Sequence, residues 1–267
     1  MMHTFRAFNV VGLALLLLGC SPKSHLRVSE PQTYVIVHGA WGGGWAFRQV
    51  DDLLAAQGHK VYRPTLTGQG ERVHLASLEV GLETHIQDVV NTILFEELQD
   101  VVLVGHSYGG MVVTGTADRI PERIGHLIYL DAIVPEDGES VITGWSKDGE
   151  KKDWINNAKD GYLKPNWVKA DQPVPKDVPH PIRTFTDTIV LKNQVRLRIP
   201  TSYILTVEPG TEAQEDSFFP FADRAGKLGW PIYQMQADHN PQWSAPQELV
   251  AILNKALTLH PNATLKH

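Results

Sequence analysis

The sequence predicts an α/β fold built on a mostly parallel sheet, and three observations predict it. Short apolar runs that read as strands alternate with longer stretches of helical periodicity. The strand runs are apolar throughout rather than alternating with polar residues, as in strands covered by helices on both faces. The composition, 42% AVILMFWYC and 20% charged in 267 residues, supplies enough apolar surface for one large core.

The elements follow in order. Tyr34, Val35, Ile36 and Val37 form the first strand, ending at His38-Gly39. Phe47, Val50, Leu53 and Leu54 recur at helical spacing across 45–57, and Gly58 supplies a stop. Val61 and Tyr62 make a second strand. Ile86, Val89, Val90, Ile93 and Leu94 share one face of a helix over 84–98. Strands are expected at 101–104, 127–130, 203–205 and 232–235. Ser244 with Gln247 has the spacing of a capping box opening the last helix, whose apolar face carries Val250, Ile252, Leu253 and Leu257. One stretch breaks the rhythm. Residues 135–200 are rich in Pro, Lys and Asp, with Trp145, Trp154 and Trp167 scattered among them. This stretch is too long for a plain loop and reads as an insertion over one edge of the sheet. Its tryptophans either hold it to the body or face an apolar substrate group.

Charge and cysteine content exclude several classes. A formal net charge of −6 argues against a nucleic-acid binder. A single Cys excludes a disulfide framework within the chain. That Cys, however, is informative by position. Arg6 gives a cationic start, and residues 7–19 are apolar except for Asn9. This is a secretory signal rather than a membrane span, which needs roughly 20 apolar residues. Leu17-Leu18-Gly19-Cys20 resembles the lipobox of bacterial lipoproteins, which implies cleavage before Cys20 and lipid attachment there. The expected organisation is a signal at 1–19, a polar tether at 20–32 and one α/β domain at 33–267 that carries the insertion at about 135–200. The expected location is the bacterial cell envelope, periplasm-facing and lipid-anchored, at the outer membrane because Ser21 is not the Asp that retains such proteins at the inner one.

The chemistry concentrates at Gly105-His106-Ser107-Tyr108-Gly109-Gly110. This is Gly-x-Ser-x-Gly placed directly after a strand and before a helix, the setting of a nucleophile elbow. A serine hydroxyl needs a base at neutral pH. His239, after the last strand and before the last helix, is placed to reach Ser107. His106 and His38 read as packing residues, and His74, His85, His180, His260 and His267 as surface or loop residues. An acid must orient the base, in the chain order Ser, acid, His. Asp131 ends a buried strand, where an unpaired charge is costly. Glu208 follows the next strand and is the alternative acid, with Asp216 and Asp238 weaker. The glycine-rich loop from His38 to Trp45 offers the Ala40 N–H, and the elbow offers the Tyr108 N–H, as oxyanion donors. No GxxxxGK[ST] and no HExxH is present, so no phosphate-loop or metal chemistry is expected.

Together, Val35 to Trp45, Gly105 to Val112, Tyr129 to Gly138 and the His239 region resemble an α/β-hydrolase. Within that superfamily they are similar to the group of plant methylesterases, hydroxynitrile lyases and bacterial esterases. The resemblance implies a mostly parallel eight-stranded sheet, a helical cap supplied by residues 135–200, a serine nucleophile, a histidine base and no cofactor. Many relatives carry the acid in the turn that here reads Val207-Glu208-Pro209-Gly210. Others place it after the preceding strand, at the position of Asp131. The expected activity is cleavage of a small-molecule carboxylic ester through an acyl-enzyme at Ser107. A lyase on the same scaffold and a non-catalytic binding lipoprotein are the alternatives, and the oligomeric state stays open.

Overall fold

The computed structural model describes residues 1–2, 30–145 and 155–258. Residues 3–19 of the expected signal, Cys20 and Trp154 lie outside the described residues. In chain order the described strands are β1 (Thr33–Val37), β2 (Lys60–Tyr62), β3 (Val101–His106), β4 (Ile124–Leu130), β5 (Tyr162–Leu163), β6 (His180–Pro181), β7 (Thr201–Val207) and β8 (Ile232–Gln236). Six of them form one sheet in the order β2-β1-β3-β4-β7-β8, every neighbouring pair parallel.

Residues of these strands split between two cores by the period-two rule. Val35, Val37, Leu103, Leu127, Tyr129, Tyr203 and Leu205 face one side of the sheet. Tyr34, Ile36, Val102, Val104, Ile128, Leu130 and Ile204 face the other. Both faces are apolar because both are covered, hence the continuous apolar runs. The helices α1 (Arg48–Ala56), α2 (Leu82–Phe95), α3 (Gly109–Arg119), α4 (Val141–Trp145), α5 (Arg183–Thr186), α6 (Phe219–Lys227), α7 (Pro241–Ser244) and α8 (Pro246–Thr258) supply that cover. Val50 and Leu54 of α1 pack with Leu249 and Leu253 of α8 on one face. Ile86 and Val89 of α2, Met111 and Val112 of α3, and Phe221 of α6 pack on the other.

The α/β expectation thus holds, with differences in detail. The described main sheet has six strands rather than eight, and all are parallel. Between β4 and β7 the chain leaves the sheet, and the two-residue strands β5 and β6 pair with each other, antiparallel. Helix α2 begins at Leu82, ahead of the expected 84. Gly81 takes an extended conformation there, and Asp187 Oδ2 accepts the Leu82 N–H at 3.3 Å. Ser244 does not cap the last helix. It ends α7, and its hydroxyl donates to Asp238 Oδ1 at 2.8 Å. The carbonyl of Ala245 opens α8 instead, accepting Leu249 N–H.

The segment between β4 and β7 is more irregular than a helical cap. Its described helices, α4 and α5, are short, and it bonds the body at the start of α2, at Asp118 of α3 and at the loop after β1. Val178 N–H donates to Trp41 O at 2.9 Å, and Trp41 Nε1–H donates to Leu163 O at 2.9 Å. Trp145 packs edge-on against Phe218 at 4.4 Å, holding this segment to the body, while Trp167 faces Trp41.

Candidate active site

Strand order reverses between β1 and β3, since β1 is followed by β2 on one side and β3 on the other. Crevices at such reversals, beyond the carboxyl ends of the strands, are where open α/β sheets bind ligands. Val37 pairs with Gly105, so the loop after β1 and the turn after β3 leave the sheet side by side.

Ser107 occupies that turn with φ 55°, in the left-handed region disfavoured for a residue with a Cβ. Strain of this kind persists only where the surroundings over-determine it. Here three backbone bonds hold it: Ser107 N–H donates to Leu130 O, and Ser107 O accepts from Gly110 N–H and Ile133 N–H. The flanking residues must be small. A Cβ on Gly109 would lie 2.7 Å from Val37 O, and one on Gly39 would lie 2.9 Å from Ser107 Cβ. Those close approaches press the loop after β1 against the elbow.

His239, on the loop after β8, meets the serine there. Ser107 Oγ donates to His239 Nε2 at 3.0 Å, and His239 Nδ1–H donates to Asp131 Oδ2 at 2.6 Å. The tautomer follows from the partners, because a carboxylate can only accept. Asp131 is fully buried, at φ 44° beyond β4, and its other oxygen accepts Thr206 N–H at 3.1 Å. The imidazole is held on further sides. Phe218 stacks on it at 4.5 Å, and His106 Nε2–H donates to the His239 carbonyl at 2.7 Å. Burial pushes the His106 pKa down to about 3, so that ring stays neutral and keeps one donor and one acceptor nitrogen.

Of the sequence-predicted residues, Ser107, His239 and Asp131 are brought together. Glu208 is exposed and makes no bond to His239. Asp216 lies close enough to feel the charge of Asp131, but it bonds Phe218 N–H at 2.7 Å instead; burial and Asp131 raise its pKa. Asp238 accepts from Asn240 N–H and the Ser244 hydroxyl. The N–H groups of Ala40 and Tyr108 donate to no carbonyl among the described residues. Tyr108 also precedes the first turn of α3, where the helix dipole favours negative charge. No group of three His, Cys, Asp or Glu suited to a metal occurs among the described residues.

Two histidines read as surface residues are in fact buried. His85 and His180 have no exposed surface, because residues 180–185 fold back over Tyr108. His85 bonds the Tyr108 hydroxyl at 2.9 Å and Thr67 O at 2.9 Å. The role of His106 in fixing His239 was not legible either, since it depends on a contact across 133 residues. A cavity of about 510 Å³ opens over Ser107 and His239, with Trp41, Trp45, Trp167 and Trp243 in its walls. The first two tryptophans stand in the glycine-rich loop, the one local signal that could have placed them.

A profile of the α/β hydrolase family matches residues 34–252. The chain belongs to the α/β-hydrolase family. Curated relatives of this α/β-hydrolase include a carbendazim hydrolyzing esterase of Nocardioides sp. (strain SG-4G), 58% identical over 109 residues. That match spans 41% of this chain and 45% of the relative's length, so less than half of the Nocardioides enzyme is covered. The pFDCC methylesterase of Arabidopsis thaliana is 28% identical over 258 residues, covering 84% of this chain and 94% of that protein. Among solved structures, an extracellular alpha/beta-hydrolase from a Paenibacillus species superposes with a TM-score of 0.70 at 21% identity, over 85% and 99% of the two chains.

Proposed function

We propose that this α/β-hydrolase is a serine carboxylesterase. The observation that carries the reading is the continuous hydrogen-bond chain from Ser107 Oγ through His239 to Asp131 at the floor of an apolar cavity. Ser107 Oγ attacks the ester carbonyl carbon while its proton passes to His239 Nε2. The oxyanion accepts from the Ala40 and Tyr108 N–H groups. The carbon–alkoxy bond then breaks, His239 returns the proton to the departing alkoxide, and water releases the acid by the same route in reverse. Asp131 fixes the Nδ1–H tautomer and stabilises the transient imidazolium. The esterase and methylesterase names of the relatives support the same reading.

We also propose that residues 1–19 are a signal and that lipid on Cys20 anchors the body in the bacterial envelope. Radiolabelled palmitate incorporated by wild type and absent from Cys20→Ala would support anchoring; equal labelling would refute it.

Steady-state hydrolysis of a p-nitrophenyl ester series, wild type beside Ser107→Ala, tests the catalytic reading. Turnover lost in the variant is the expected result. A folded wild type without Ser107-dependent turnover would remove the esterase reading and leave cyanohydrin cleavage as the next assay.

A further inference from the structure

In the same cavity stands a carboxylate that ester hydrolysis itself does not use. Asp177 is partly buried in the wall, and one of its oxygens, Oδ2, accepts Trp167 Nε1–H at 2.8 Å. The other, Oδ1, has no hydrogen bond or ion pair within the described residues. Burial raises the pKa of this carboxyl, and the Trp167 bond opposes that rise. A partly shielded carboxylate oxygen of this kind keeps its capacity to accept from a donor supplied by a ligand.

Its position is fixed from two directions. Trp167 holds the head group, and the neighbouring Val178 N–H donates to Trp41 O at 2.9 Å. A Cβ on Gly42 would stand 3.9 Å from Oδ1. The same Cβ would stand 3.9 Å from Ala40 O, so Oδ1 lies within about 8 Å of the carbonyl of the oxyanion-donor residue. The walls are flat and aromatic. Trp41 and Trp167 meet edge-to-face at 5.1 Å, and Trp45 stacks on Trp243 at 5.7 Å. Trp167 and Trp243 are each about half exposed, at 56% and 48%. Such surfaces favour a planar ring.

We propose that Asp177 is a specificity-determining residue, whose Oδ1 accepts a hydrogen bond from an N–H group at the far end of a planar aromatic ester. The proposal rests on the esterase reading, because it takes the ester carbonyl to sit at Ser107. Lys176 also lines the cavity and would favour an anionic far end instead, so the test includes one.

The probes are methyl indole-5-carboxylate, its benzofuran analogue with oxygen replacing N–H, and monomethyl terephthalate. The full chain is used, and kcat/KM is compared in wild type, Asp177→Leu and Asp177→Asn. Binding of the same probes to Ser107→Ala, with and without Asp177→Leu, is read by quenching of tryptophan fluorescence. The expected result is a preference of about tenfold or more for indole over benzofuran, the scale of one hydrogen bond to a charged group. That ratio should fall to near one in Asp177→Leu. Asp177→Asn keeps the shape with a neutral acceptor and should retain part of the preference, which covers the case of a poorly folded leucine variant. Equal use of the two bicyclic esters by wild type, a preference that survives in Asp177→Leu, or tightest binding of the terephthalate would each overturn the proposal. Loss of all turnover with the binding preference intact would overturn the esterase reading alone.

Discussion

A serine hydroxyl needs an adjacent base to become a nucleophile, and an imidazole can be that base only in one tautomer, which the residues around His239 impose. Asp131 accepts from Nδ1, Ser107 donates to Nε2, and His106 holds the backbone carbonyl. Ser107→Ala and His239→Ala should each lower kcat/KM by roughly 10³–10⁶-fold, because such groups act as a unit. Steady-state rates on an activated ester check this; losses below about tenfold would contradict it. Both residues were legible in the sequence, Ser107 from its elbow motif and His239 from its place after the last strand. For the orienting acid the sequence favoured Asp131, at the end of an apolar strand, over Glu208 after the next strand. Burial separates them, since Asp131 has no exposed surface and Glu208 lies in an exposed turn. Asp177 was not legible at all, because its partner Trp167 lies in the same irregular segment, without periodicity to orient either.

At the scale of elements, the site depends on how β4 and β7 end. Tyr203 of β7 is fully buried, and its hydroxyl both donates to Ala132 O at 2.9 Å and accepts Ala132 N–H at 3.0 Å. That clamps the residue following Asp131, whose own backbone is in the left-handed region. Tyr203→Phe leaves both backbone groups of Ala132 unpaired, at a cost of about 1–3 kcal/mol. Its urea midpoint should drop, and kcat should fall more than KM changes, because Asp131 loses its support. An unaltered midpoint would show that the clamp carries no stability. The elements themselves were largely legible. Apolar runs marked the six sheet strands, most clearly the four inner ones, which are covered on both faces, while the edge strands β2 and β8 are partly exposed. The irregular segment between β4 and β7 was legible as a break in that rhythm, but its two-residue strands β5 and β6 were not, having no period to detect; the count of eight came from the family resemblance, whereas the apolar runs themselves number six. The Ser244 cap failed for a local reason: Asp238 competes for the same hydroxyl.

On the scale of the whole molecule, burial of four histidines couples stability to pH. Burial lowers His38 and His85 to about 4 and His106 to about 3, and holds His180 well below its ordinary value of 6.5. Above pH 6.5 these rings are neutral whether the chain is folded or not, and the stability of the neutral burial is fully present. Below it the unfolded chain takes up protons that the folded chain refuses, so stability falls with pH until the folded values are reached. Each ring contributes about 1.4 kcal/mol per pH unit across that window. Urea midpoints should therefore fall steeply from pH 7 to pH 5, and unfolding at pH 5 should bind protons. A midpoint constant over that range would contradict the burial of these rings. His38 and His106 read as structural residues from their places beside the elbow, but His85 and His180 gave no hint of burial, because each is buried only by what folds over it.

The most direct test of the catalytic account compares Asp131→Asn with Glu208→Gln, measured as kcat/KM on p-nitrophenyl butyrate. The account predicts a loss on the order of 10⁴-fold for Asp131→Asn, the scale seen when a triad histidine is left in the wrong tautomer, and a change within about threefold for Glu208→Gln. The reverse ranking would contradict it and move the orienting acid to the turn after β7.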